Sequence, residues 1–131
     1  MNRRLAITVL GASMVFGATT PVFAHHTFAG TYFPGQTVKI EGELVQFLYR
    51  NTHSFVHLIV MDPATGAVTR WAVEWAAGGQ LGRNGVTRET LKPGDHVIIV
   101  GHPARKPEDH MLRMLSITRP SDGWKWGGTF D

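Results

Sequence analysis

Cysteine is absent from the 131-residue chain. That excludes thiolate metal sites, iron–sulfur clusters, thiol redox chemistry and disulfides, so any fold must be held by a core of its own. Larger basic clusters are absent too: beyond the pairs Arg3-Arg4 and Arg105-Lys106, the 13 Lys+Arg are spread singly against 10 Asp+Glu. No apolar run reaches the ~20 residues that a bilayer span needs. Enzyme signatures are also missing. There is no GxSxG, no phosphate-cradling GxxxxGK[ST], no dinucleotide fingerprint and no HExxH. Internal repeats and low-complexity segments do not occur.

What is present begins with an export signal. Arg3 and Arg4 form a positive start, Leu5 to Ala18 an uncharged apolar stretch, and Val22-Phe23-Ala24 places small residues before a cut after Ala24. Asn2-Arg3-Arg4-Leu5 is only a fragment of a twin-arginine signal, so the general secretory route is expected. The expected location is periplasmic or secreted, with no membrane span after cleavage. Removing 24 of 131 residues leaves 107, and losing Arg3 and Arg4 lowers the formal charge from +3 to +1. A surface for nucleic acid is therefore not expected. A domain of this size can bury roughly 60–70% of the surface of its unfolded chain, enough for one barrel or sandwich.

The mature part, 25–131, reads as a single all-β domain. Residues 25–36 look like an irregular N-terminal arm ending at the turn Pro34-Gly35. From Thr37, Val38, Ile40, Gly42 and Leu44 alternate with polar residues, whereas Val45 and Phe47 to Tyr49 are out of phase. A bulge near Leu44 reconciles the two, as in a long strand bent around a barrel. Ser54 to Met61 and Ala67 to Trp75 form a hairpin across Asp62-Pro63-Ala64-Thr65-Gly66. Gly78, Gly79, Gly82 and Gly85 leave room for no more than a turn of helix near Gln80-Leu81. His96 to Gly101 and Met111 to Thr118 are the fourth and fifth strands. The pattern predicts a small five-stranded OB-like Greek-key barrel, with an open sandwich as the alternative. A Trp-rich tail, 120–131, either packs back or presents Trp124 and Trp126 to a partner.

All seven histidines fall in the mature part, a high share for so short a domain. After cleavage, His25 would offer an α-amino nitrogen and an imidazole on one residue, a chelate suited to Cu(II). His26 follows it. One more imidazole would complete a histidine-brace arrangement. His53, Phe55 and His57 share a face in an extended strand, but His53 and His57 would stand ~13 Å apart. At most one can join such a site, and His53 is the better placed. Glu74, between Val73 and Trp75, reads as a metal ligand, as a carboxylate orienting a ligating imidazole, or as a strand residue paired with Arg50, Arg70 or Lys39. His96, His102 and His110 read as surface residues.

Taken in order, Ala24-His25-His26-Thr27-Phe28, Gly42 with Val45, Asn51-Thr52-His53, Trp71 with Glu74, Leu81 through Gly85, and Leu91-Lys92-Pro93-Gly94-Asp95 resemble the pattern of a family of small exported bacterial proteins of unknown function. The usual family forms are A-H-H-S-F, N-P-H and a later tryptophan; this chain has Thr27, Thr52 and Val86 there. The resemblance spans almost the whole mature domain. It implies export, a compact β-barrel, and His25, His26, His53, Trp71 and Glu74 as the shared polar and aromatic set, with no known reaction. Three readings stand. The first is a periplasmic copper-binding module with His25, His26, His53 and Glu74 as candidate ligands. The second is a non-metal barrel scaffold for a small ligand or a periplasmic protein partner, using Trp124 and Trp126. The third is an enzyme, such as a copper-dependent oxidase, using the same brace.

Overall fold

The structure is a computed structural model that describes residues 28–127. The expected cleavage region, His25, His26 and the last four residues lie outside that range, so the signal-peptide and N-terminal-ligand expectations fall outside the described residues.

Five strands close into a barrel: β1 (Val38–Leu48), β2 (Phe55–Met61), β3 (Val68–Glu74), β4 (His96–Pro103) and β5 (Met111–Arg119). The first strand serves two neighbours. Its first half, Val38 to Glu43, pairs with β4, and its second half, Glu43 to Leu48, pairs with β2. The register shifts between Leu44 and Gln46, so the expected bulge is present where the apolar phase changes. Gly42 sits just before this bend because any side chain there would strike a neighbour: a Cβ would stand 2.2 Å from the Ile59 carbonyl oxygen.

The β2–β3 hairpin turns as Asp62 and Gly66 suggest. Asp62 Oδ1 accepts from the Ala64 N–H, and Gly66 takes a left-handed φ of +71°. Closure comes from a parallel pairing of β3 with β5, in which Val73 faces Leu112 and Glu74 faces Arg113. Parallel neighbours need a long crossover. Here it consists of the short helix α2 (Gly78–Arg83), β4 and the loop before β5. With its six residues, α2 is the turn of helix that the glycines allow, and it drives Leu81 into the core beside Val86. Inside the barrel, Leu44, Leu58, Val73, Ile99, Leu112 and Ile117 are fully or almost fully buried. Burying each such side chain contributes about 1.5–3 kcal/mol.

Among the described residues, both ends of the domain carry regular structure. Phe28–Thr31 is a single helical turn, α1, and Tyr32 behind it is buried and bridges to Ala104. The Phe33 N–H donates to the Pro103 carbonyl, and Arg105 donates through its backbone to Thr31 and through Nε to Ala29. In the tail, Trp124–Gly127 forms a sixth strand, β6, on the free side of β5. Arg119 fixes the turn into it through contacts with Asp95 at 2.8 Å, Asp122 at 2.9 Å and the Thr90 carbonyl at 2.7 Å. Trp124–Gly127 therefore packs back onto the barrel.

Candidate functional site

Glu74 ends β3, and the parallel β3–β5 register sets Arg113 beside it. Its cationic partner is thus Arg113, not Arg50, Arg70 or Lys39. No sequence pattern showed which strands meet across the closure. Arg113 Nη1 lies 3.3 Å from Glu74 Oε1, and His53 Nδ1 lies 2.8 Å from the same oxygen. The Tyr32 hydroxyl donates to Glu74 Oε2 at 2.5 Å, the short distance of a charge-assisted O–H···O⁻ bond. Both oxygens of Glu74 therefore accept from protein donors, the arrangement of an ionised carboxylate.

Four segments build this cluster. Tyr32 comes from the arm, His53 from the loop before β2, Glu74 from β3 and Arg113 from β5. The side chain of Glu74 is only 17% exposed, whereas that of His53 is half exposed. Burial, reinforced by the hydrogen bond to Glu74 and by its negative charge, holds the Tyr32 phenol well above its ordinary pKa. Phe28 and Thr31 complete the walls of a cleft of about 270 Å³ around these four side chains.

The geometry assigns tautomers. An ionised carboxylate only accepts, so the hydrogen of neutral His53 sits on Nδ1, and the Nε2 lone pair is left to take a proton or a metal ion. Among the described residues, no group of three or more His, Asp or Glu side chains is placed to hold a metal.

Of the sequence candidates, the structure brings together His53 and Glu74. His25 and His26 lie outside the described residues, and the described chain starts at Phe28, itself a wall of the cleft. His57 is half-buried in β2, and burial, with Arg70 and Arg50 nearby, lowers its pKa. Trp124 and Trp126 are half-buried against the core, Trp124 under Arg119 and Trp126 edge-to-face with Trp75. His96 is exposed and contacts Glu41 at 2.7 Å. His102 and His110 are less exposed than surface residues would be, and each touches an aromatic ring, Phe28 and Trp71 respectively. Tyr32 and Arg113 were not anticipated. Their signals were faint: an aromatic pair just ahead of a turn, and a lone charge among Leu112 and Met114.

A family model described as "Family of unknown function (DUF6152)" matches residues 13–113. The chain belongs to this family. No curated protein shows a significant match. Among solved structures, this chain is similar to the mitochondrial single-stranded DNA binding protein Rim1 of S. cerevisiae, at 13% identity and a TM-score of 0.49. That match covers 63% of this chain and 91% of the other. Among the described residues, no helix of this DUF6152 protein is long and apolar enough to cross a membrane.

Proposed function

We propose that this DUF6152 protein is an exported metal-binding module that takes Cu(II) at a processed N-terminus beginning with His25. The observation that carries the reading is the 2.8 Å contact of His53 Nδ1 with Glu74. Metal-ligating histidines commonly give their other ring nitrogen to a carboxylate, which fixes the tautomer and aims the free nitrogen. Here Tyr32 and Arg113 hold the carboxylate in turn. In this reading Glu74 orients the imidazole and is not itself a ligand.

Chain reach supports the rest. His25 is three residues before Phe28, so its Cα is at most about 11 Å from that of Phe28, a wall of the cleft containing His53. The amine and ring of His25, with His53 Nε2, make a nitrogen-rich set suited to Cu(II), and His26 is not required. The periplasm or the exterior is the compartment in which signal cleavage would free that amine.

The test is Cu(II) binding by the chain starting at His25, followed by calorimetry and electron paramagnetic resonance. A copy with one extra N-terminal residue and a His53→Ala variant serve as controls. One-to-one binding with a nitrogen-rich spectrum, lost in both controls, is expected. Binding indifferent to the extension would refute the site.

A further inference from the structure

A second cleft, of about 360 Å³, adjoins the His53–Glu74 cleft, and Phe28 and Arg113 line both. Phe28, Trp75 and Trp126 supply aromatic walls, and the two indoles meet edge-to-face at 4.8 Å. Phe28 is 40% exposed and is held between the rings of Tyr32 at 5.6 Å and His102 at 5.3 Å. Gln80 from α2, His102 from β4 and Arg113 from β5 bring polar atoms to the lining. A concave site of this volume, mostly apolar with three aromatic walls and few polar groups, has the make-up of a small-molecule pocket at the lower end of the usual size range.

The charge chooses the ligand. Arg113 carries the only permanent charge in this lining. Its Nη1 makes the contacts with Glu74 and with the Trp75 carbonyl, at 3.3 and 3.4 Å. No acceptor among the described residues engages its Nε or Nη2. His102 is committed differently: the Gln36 carbonyl, 2.7 Å away, can only accept, so the hydrogen lies on Nδ1 and neutral Nε2 is an acceptor. A carboxylate therefore belongs at Arg113, with its apolar body against the rings. We infer that this cleft binds a small aromatic carboxylate of one or two rings, through Arg113 and the Phe28, Trp75 and Trp126 walls. Copper has no part in this inference, so it stands or falls separately from the metal reading.

The probe is naphthoate, added to the protein in chelator-treated buffer and followed by heteronuclear NMR of the four tryptophan indoles. Saturable shifts at Trp75 and Trp126, with Trp71 and Trp124 little changed, are expected. Cationic naphthylmethylamine should give none. Arg113→Met should weaken naphthoate binding about tenfold or more, the worth of a charge-assisted hydrogen bond. Because Arg113 also supports Glu74, a second variant is needed: Gln80→Phe, at an exposed helix position, should block the cleft while leaving that ion pair intact. Equal shifts at all four indoles, equal binding of the amine, or full affinity in Gln80→Phe would overturn the inference.

Discussion

At the scale of single residues, Glu74 is the hinge of the site because three donors from three other segments converge on it. Glu74→Gln replaces an acceptor that serves all of them with a group that is half donor. A loss of about 1–3 kcal/mol in unfolding free energy is expected, measured by denaturant titration. If His53 ligates Cu(II), the same change should weaken that binding about 10–100-fold, the usual effect of removing an orienting partner. Tyr32 gives a separate readout. Its folded pKa is raised, so the neutral phenol is favoured in the native state and stabilises it fully below the unfolded value of 10.0. That stabilisation should be lost as pH rises above 10 towards the folded pKa. In a Tyr49→Phe background, a spectrophotometric titration should show phenolate formation delayed until alkaline unfolding; ordinary ionisation of Tyr32 in the native state would contradict the hydrogen bond to Glu74.

At the scale of elements, the bend in β1 is the feature on which the barrel depends, and Gly42 marks it. A methyl group there would press on the backbone of Ile59, not on a side chain that could move away. Gly42→Ala should therefore cost about 1–3 kcal/mol or more, seen as a lower midpoint of thermal or chemical unfolding; an unchanged midpoint would mean that β1 and β2 are spaced more widely. This element was legible in the sequence, since the phase change after Leu44 requires an extra residue. So were the β2–β3 hairpin, with its Asp-Pro…Gly turn, and the limit that glycines set on α2. The sixth strand was not legible: Trp124-Lys125-Trp126 alternates, but it is too short and too glycine-flanked to stand out from a loop. The helical turn at Phe28 was hidden for a similar reason, because four residues carry no periodicity. His53 and Glu74 could be nominated from their chemistry, whereas Tyr32 and Arg113 enter the site only through tertiary pairings, the Tyr32–Ala104 bridge and the parallel β3–β5 register.

At the scale of the whole molecule, the candidate site joins the arm, the loop before β2, β3 and β5, and it lies at the seam where the barrel closes. A ligand held there contacts residues that come together only in the folded state, so binding and folding are linked. Such a ligand raises the unfolding free energy by about 2.7 kcal/mol when its free concentration is a hundred times its dissociation constant. On the proposed function, Cu(II) should give this increase to the chain that starts at His25. It should give little to the same chain with one residue added in front, because the extension removes the free amine of His25 without touching the barrel. Thermal unfolding of the two chains with and without Cu(II) makes the comparison, and metal-free curves that coincide would establish that the extension leaves the fold alone. Equal stabilisation of both would place the ion elsewhere, at exposed groups such as the His96–Glu41 pair, and would separate the seam of the barrel from metal binding altogether.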